Sequence, residues 1–430
     1  MSSARPPLPP GPYLVVGLAR SGRAAAGMLR AHGEVIATDS GSPEPPPGVE
    51  SHLATDGVAL LDRAGCVVKS PGVPAEAPVI AAARERGIPV LGELELAWRL
   101  LPNRFVAVTG TNGKTTTTEL LGAIHRAAGA DVAVAGNVGT PLSSLPGALD
   151  PGAVVVCEAS SFQLEDAETF APETALLLNL EEDHLDRHGT FEAYRDAKLR
   201  IFARQSEDDA AVVPPGLEPD GRARRVTFGP PGSDLALVEG SLVWRGEPLI
   251  EAGEIRLRGA HNLENAMGAA AAALASGLEP GPVAEALRTF AGVPHRLEEV
   301  ATRDGVLYVN DSKATNVSAA RRGIEAFEGG VHAILGGSLK GGGFEGLREP
   351  VGARCRACYL VGEAADRLEA DLAGTVPLHR CGDLDTAVAE AAAAARPGEV
   401  VLLSPACASY DQHRDFEERG EHFRRLVSRA

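Results

Sequence analysis

The sequence predicts an α/β chain of three domains: a Rossmann-like domain first, a central P-loop ATPase-like domain, and a third, Rossmann-like α/β sheet. Short apolar runs alternate with longer amphipathic stretches along most of the chain, the pattern of strands and crossover helices in parallel sheets. Two of these runs end in glycine-bearing loops that lead straight into helical stretches, at residues 13–22 and 105–116. The pattern restarts after Gly292-Val293-Pro294, a predicted hinge, and 430 residues suffice for three cores of ordinary size. The expected boundaries are 1–97, 98–293 and 294–430.

The first domain opens with the strand Tyr13-Leu14-Val15-Val16, the loop Gly17-Leu18-Ala19-Arg20-Ser21-Gly22, a helix through Leu29, and a second strand ending at Asp39. This is a βαβ unit whose loop has Ala19 where G-x-G-x-x-G has its central glycine, with an acid about twenty residues on. A nicotinamide dinucleotide fits the pattern, as does any pyrophosphate with a ribose near Asp39. A further strand, Cys66-Val67-Val68-Lys69, ends in the turn Ser70-Pro71-Gly72-Val73, at the strand end where such sheets bind ligands.

The central domain carries Thr109-Gly110-Thr111-Asn112-Gly113-Lys114-Thr115-Thr116, between the strand Phe105–Val108 and a helix beginning near Lys114. Unpaired N–H groups at a helix start, glycines that permit close approach, a lysine and a hydroxyl together make a phosphate cradle. Lys114 is placed to reach the terminal phosphates and Thr115 to ligate Mg²⁺. The general pattern wants a glycine where Val108 stands, and Gly110 substitutes two residues later. The strand Asp131–Ala135 leads to Gly136-Asn137-Val138-Gly139. The strand Ala153–Cys157 delivers Glu158, a carboxylate beside the phosphate loop and a Mg²⁺ candidate, followed by Ala159-Ser160-Ser161-Phe162-Gln163. The strand from Ala175 empties into Asn179–His188, which offers His184 to a second metal. Thr190 caps an amphipathic helix from Phe191 to Arg204 that carries Lys198. Residues 207–258 read as short strands on the sheet's far side, Ile255-Arg256-Leu257 among them. Gly259–Asn265 opens an alanine-rich helix whose asparagines are placed for adenine or ribose.

In the third domain a strand at Val306–Asp311 meets Ser312-Lys313-Ala314-Thr315-Asn316, the strand Val331–Leu335 runs to Lys340, and the last strand ends at Ser404-Pro405-Ala406-Cys407-Ala408-Ser409. Lys313, Thr315, Lys340 and Ser409 thus lie on one sheet edge, a cationic pocket suited to a small carboxylate.

Net charge is −17, which argues against a broad surface for nucleic acid or anionic membrane. The N-terminal stretch lacks an apolar signal core and reads as a floppy, proline-rich arm. No apolar run approaches a membrane span, so a cytoplasmic protein without membrane insertion is expected, working as a monomer. Six scattered cysteines behave as small hydrophobes. Cys355-x-x-Cys358 resembles half a zinc site, but no second pair accompanies it. Only five of the 41 lysines and arginines are lysine: Lys69, Lys114, Lys198, Lys313 and Lys340. Arginine serves almost everywhere a surface cation is wanted, so each retained lysine is a candidate for chemistry that arginine cannot perform.

Taken in order, Thr109–Thr116, Glu158–Leu164, Asn179–Asp186, His261-Asn262, Pro294-His295-Arg296, Asn310–Asn316 and Ser404–Phe416 resemble the Mur ligases of peptidoglycan synthesis over essentially the whole chain. The N-D-S-K-A-T-N and S-P-A-C-A-S-x-D-Q stretches match the D-glutamate-adding branch, and the D-N-P-R signature of the diamino-acid-adding branch is absent. Ala19 and the glycine run after Lys340 are departures. The resemblance implies an ATP-dependent ligase that joins D-glutamate to UDP-N-acetylmuramoyl-L-alanine through an acyl phosphate. It implies UDP-sugar contacts at Gly17, Ala19, Arg20, Ser21, Asp39, Ser70, Gly72, Asn137, Ser160 and His184. It implies ATP contacts at Gly110, Thr111, Asn112, Gly113, Lys114, Thr115, Thr116, Asn265, Arg296 and Asp311. Mg²⁺ would lie among Thr115, Glu158, His184 and a carbamylated Lys198, and D-glutamate among Lys313, Thr315, Lys340, Ser409 and Phe416. Lys114, His184, Lys198 and Lys313 are the implied catalytic set. A Rossmann dehydrogenase would leave the central loop idle, and a folylpolyglutamate synthase gives no reason for the first domain.

Overall fold

The computed structural model describes residues 5–145, 147, 149–339 and 342–429. Among them the strands form three sheets. The first holds β1 (Tyr13–Val16), β2 (Val35–Asp39), β3 (Glu50–Leu53), β4 (Cys66–Lys69) and β5 (Val90–Gly92), ordered β3-β2-β1-β4-β5 and parallel throughout. All of β1 and β4 is buried, which is why these strands read as unbroken apolar runs rather than alternating ones. Strand order reverses between β1 and β4, and that opens a crevice at their carboxyl ends. β3, with the sequence Glu-Ser-His-Leu, gives no apolar signal because it is a half-exposed edge.

The second sheet comprises β6 (Arg104–Thr109), β7 (Val132–Gly136), β8 (Val154–Glu158), β9 (Thr174–Leu177), β10 (Ala210–Val213), β11 (Arg224–Gly229), β12 (Leu235–Val238), β13 (Ser241–Trp244) and β14 (Glu247–Glu251). Its order is β14-β13-β12-β11-β10-β9-β6-β8-β7, antiparallel only in the β12–β14 meander. Central β6 lies between β8 and β9, so the loops that follow these three strands open side by side. Ile255-Arg256-Leu257 is not the strand its composition suggests. It follows a short 3-10 turn at Ala252–Glu254, and the Arg256 N–H goes to the Leu287 carbonyl instead of a sheet neighbour.

The third sheet contains β15 (Glu298–Arg303), β16 (Val306–Asn310), β17 (Val331–Gly336), β18 (Cys355–Val361), β19 (Leu378–Gly382) and β20 (Val400–Leu403), ordered β15-β16-β20-β17-β18-β19. Only the polar edge strand β15 is antiparallel. The ends of β16, β20 and β17 are therefore neighbours, and so are their loops.

The chain divides into two compact units. One runs through Arg256 and includes Leu263–Phe290; the other holds Leu257–Asn262 and continues from Ala291. The first unit contains two of the sheets, joined by buried polar contacts. Glu93, on the helix Glu93–Leu100 that follows β5, accepts from the Ser143 N–H and hydroxyl, both at 2.7 Å, and burial raises its pKa. Glu95 accepts from the Phe170 N–H at 2.9 Å. The N-terminal arm is not floppy from Arg5 onward. The Arg5 guanidinium sits 5.1 Å from the Trp98 ring centroid and 5.2 Å from that of Phe105, and it donates to the Trp98 and Asn103 carbonyls. Such stacking and donation anchor a segment whose composition alone suggests a loose arm.

Candidate functional site

Three groups of strand ends carry the candidate residues. In the first sheet Gly17, Ala19, Ser21, Asp39, Ser70, Pro71, Gly72 and Val73 line a cavity of about 350 Å³, together with Asn137 and Gln163 from the second sheet. A neighbouring cavity of about 600 Å³ shares Gly17, Asp39 and Gly72 and reaches Thr38, Thr55 and Asp56. The loop after β1 is built for close approach. A Cβ on Gly22 would lie 1.8 Å from the Gly17 carbonyl oxygen, so only glycine lets the helix Arg20–Leu29 pack there. Ser70 donates to that same carbonyl at 2.8 Å, and Asp39 accepts from the Leu18 N–H at 2.6 Å and the Gly41 N–H at 2.8 Å. Asp39 therefore holds the loop with its own carboxylate. Arg20, exposed on the first helical turn, and Ser160 are not among the cavity's lining residues. The Ser160 hydroxyl forms a capping box with Gln163 at the start of the helix Ser161–Leu164.

In the second sheet the loop from Gly110 to Gly113 links β6 to the helix Lys114–Ala127. Gly113 has φ +79°, and the side chain of Asn265 lies where a Cβ on Gly113 would stand, 1.9 Å from its Oδ1. Two conditions thus demand glycine at this position. Lys114 Nζ donates to the Gly110 and Thr111 carbonyls, each at 2.9 Å. Thr115 and Thr116 are buried in the first turn. The segment after β9 clasps the loop. The Asn112 N–H donates to Asn179 Oδ1 at 2.8 Å, Asn112 Nδ2 to Glu181 Oε2 at 2.8 Å, and the Glu181 N–H to Thr111 Oγ1 at 3.0 Å. Tyr194 donates to the same Thr111 hydroxyl at 3.0 Å. Asn179, Glu181 and Tyr194 escaped the sequence reading as loop supports. Their one visible signal was position, in the segment after a strand adjacent to the loop's own strand.

Glu158, 3 % exposed at the end of β8, accepts from Asn137 Nδ2 at 3.0 Å. Lys198 lies in the helix Phe191–Leu199, which ends earlier than expected, and is fully buried. Its Nζ donates to the Gly110 carbonyl at 2.7 Å and stands 4.6 Å from the Tyr194 ring centroid. Burial, then the neighbouring Lys114 charge, lower its pKa to about 7. His184 meets the ring of Tyr194 edge-on, with centroids 6.3 Å apart. It adopts φ +52°, is half exposed, and packs its ring at a 53° tilt against Phe162 with centroids 4.9 Å apart. Among the described residues no three His, Cys, Asp or Glu side chains form a metal-binding group. The oxygen donors at the loop, the Thr115 hydroxyl and the Glu158 carboxylate, are nevertheless of the kind Mg²⁺ takes.

In the second unit Asp311 follows β16. It accepts from Ser404 Oγ at 2.7 Å and from the Leu297 N–H at 3.3 Å. Burial pushes its pKa up to about 7 against the opposing effect of those bonds and of the Arg296 and Arg322 charges. Lys313 Nζ stands 4.7 Å from the Phe416 ring centroid. Thr315 is partly exposed beside Lys313, whose carbonyl accepts from its N–H at 2.8 Å, and Ser409 is buried. Lys340 lies outside the described residues. Arg419 was missed altogether. Although it belongs to the polar helix Phe416–Arg429, it is 3 % exposed and donates to Ser312 Oγ and to the carbonyls of Ser312, Cys407 and Ala408. It joins the loop after β16 to the loop after β20. Cys355 and Cys358 are free thiols, the second buried.

Residues 108–225 match the Mur ligase middle domain, and residues 295–407 match the Mur ligase glutamate ligase domain. This chain belongs to the Mur ligase family. The chain is 44% identical to the UDP-N-acetylmuramoylalanine--D-glutamate ligase of Acidobacterium capsulatum, covering 96% of this chain and 95% of the relative. It is 43% identical to the enzyme of the same name from Solibacter usitatus, covering 96% and 97%. Among solved Mur ligases, MurC of Thermotoga maritima superposes with a TM-score of 0.61 at 19% identity, covering 98% of this chain and all of that one. MurF of Thermotoga maritima, solved in complex with ADP, gives 0.58 at 20% identity, covering 92% and 96%. At such identities these two structures speak for the Mur ligase fold.

Proposed function

We propose that this Mur ligase adds D-glutamate to UDP-N-acetylmuramoyl-L-alanine at the expense of ATP. The observation that carries the reading is the joining of near full-length identity to D-glutamate ligases with an intact phosphate loop, Lys114 and Glu158 at neighbouring strand ends. In this reading residues 1–97 take the UDP-sugar in the crevice between β1 and β4, residues 98–293 take ATP, and residues 294–430 take D-glutamate through Lys313, Thr315, Lys340, Ser409 and Phe416. The substrate's terminal carboxylate attacks the γ-phosphorus of ATP and ADP leaves. The D-glutamate amine, unprotonated, then attacks the acyl carbon, and a tetrahedral intermediate collapses to the amide and phosphate. Lys114 turns from the Gly110 and Thr111 carbonyls to the transferring phosphoryl group, where a fixed cation offsets developing charge. Thr115 and Glu158 would hold Mg²⁺, which supplies further charge neutralisation at the phosphates.

Lys198 is read as carbamylated. Its amine, buried and with its pKa lowered to about 7, is substantially neutral near pH 7, and a neutral amine adds CO₂ to give a carbamate and a released proton. The anion so formed is a hard oxygen donor, reaching the loop from a helix where an ammonium would oppose Lys114. We further read the enzyme as a cytoplasmic monomer without nucleic-acid partners. Among the described residues no helix is long and apolar enough to cross a membrane. The test is phosphate release with each component omitted in turn. Turnover should require ATP, the UDP-sugar and D-glutamate together, and turnover with another amino acid in preference to D-glutamate would overturn the substrate reading.

A further inference from the structure

Lys69, one of the five lysines, ends β4 and has no exposed surface. Its Nζ lies 2.7 Å from Asp166 Oδ2 and donates to the Val73 carbonyl at 2.8 Å. Asp166 is buried as well, and its other oxygen meets exposed Arg84 at 3.4 Å. The neighbours of the pair in sequence are walls of the 350 Å³ crevice: Ser70 follows Lys69, and Gln163, in the helix Ser161–Leu164, precedes Asp166 by three residues. One ammonium thus ties the Ser70–Val73 turn of the first sheet to the second sheet, which contributes Gln163 and Asn137. The turn is closed by a bond from the Val73 N–H to the Ser70 carbonyl at 3.0 Å. Val73 also packs on the loop after β1, since a Cβ on Gly17 would be 2.6 Å from Val73 Cγ2. Movement of Val73 is therefore felt at that loop.

A buried ion pair is seldom the most stable filling for its space, because desolvating both charges offsets their attraction and apolar side chains of similar volume do as well. What it supplies is fixed separation between the elements that carry it. We propose that Lys69 and Asp166 are a positioning pair that sets the width of the crevice for the UDP-sugar. This rests on the reading that the crevice takes that substrate.

The test compares the parent enzyme with Lys69→Met/Asp166→Leu, Asp166→Glu and Gly72→Val, measuring melting temperature, UDP-N-acetylmuramoyl-L-alanine binding by calorimetry, and KM for each substrate. The double variant should melt at or above the parent temperature yet bind the UDP-sugar about ten-fold or more weakly, because small displacements of binding groups are costly. KM for ATP and D-glutamate should not change. Asp166→Glu keeps the charges but lengthens the tie by one methylene, so it should fold and still weaken UDP-sugar binding. Parental affinity in either folded variant overturns the positioning role. Gly72→Val tests the underlying reading, since a Cβ there meets nothing within 4 Å and its side chain would fill the crevice. Undiminished UDP-sugar binding by Gly72→Val overturns the crevice assignment and the pair's role with it. Blocked binding by Gly72→Val beside parental binding in the double variant overturns the pair alone.

Discussion

Lys198 Nζ donates to the carbonyl oxygen of Gly110 at 2.7 Å, so a helix 88 residues downstream presents its amine to the phosphate loop. The amine is buried, and Lys114 is near enough to depress its pKa further. Lys198→Ala should be nearly inactive, and Lys198→Arg no better, because a guanidinium cannot accept CO₂. Millimolar formate or acetate should partly restore the alanine variant by supplying a carboxylate. Full activity of Lys198→Arg would remove the carbamate from the reading.

Lys114→Ala should lower kcat by about a hundred-fold or more, the usual cost of losing a group that meets developing charge. The melting temperature should move little beside that loss, since Lys114 Nζ bonds the Gly110 and Thr111 carbonyls of its own loop. Phosphate release at saturating ATP, with unfolding followed in parallel, separates the two effects.

Arg419 should govern D-glutamate use although it reads as one more charge on a polar helix. Its guanidinium fixes the carbonyls of Ser312, Cys407 and Ala408, the neighbours of Lys313 and Ser409. Arg419→Lys keeps the charge but cannot span both loops, so KM for D-glutamate should rise about ten-fold while KM for the UDP-sugar holds. An unchanged KM for D-glutamate with a lowered melting temperature would make Arg419 structural only.

These residues mark what the sequence could and could not disclose. The parallel core strands were legible because β1, β4, β6 and β8 are buried on both faces and so run unbroken in apolar residues. Loop chemistry was legible because Gly113, Lys114, Glu158 and Ser70 sit at the ends of those strands. Edge strands such as β3 and β15 escaped because one side meets solvent and their composition is polar. Arg5, Lys69 and Arg419 owe their burial to partners roughly a hundred residues away, or in a different sheet, and local pattern carries no trace of such contacts. The anchoring of the arm is the same effect, a single guanidinium between two rings.

His125 offers a stability test away from the chemistry. It lies in the last turn of the helix Lys114–Ala127, 3 % exposed, and neither ring nitrogen has a hydrogen-bond partner among the described residues. Burial, with the Arg104 charge, lowers its pKa to about 4. The unfolded chain therefore binds this proton more readily, so stability should be lost as pH falls from about 6.5 toward 4. His125→Leu should flatten that part of the curve, and denaturant melts at pH 7 and pH 5 would show it.

Asp311 gives the opposite sign and joins stability to the site. Its pKa is raised to about 7, so between about pH 4 and pH 7 the folded state keeps a proton that the unfolded chain releases. Folding stability contributed by this group should therefore fall as pH rises through that window and level off above 7. Ser404 Oγ, 2.7 Å from Asp311 Oδ2, favours the charged form and limits the loss. Ser404→Ala removes that donor and should carry the Asp311 pKa higher, extending the downward slope past pH 7. Asp311→Asn should remove this downward contribution and leave the opposite slope from His125, since the amide does not titrate, and should weaken ATP use if the carboxylate contacts the nucleotide. Melting temperatures of the three proteins at pH 5, 7 and 8.5 decide the electrostatic part. A parent curve parallel to that of Asp311→Asn between pH 5 and 7 would mean that the buried carboxyl ionises at its ordinary pKa, with Arg296 and Arg322 compensating its burial in full.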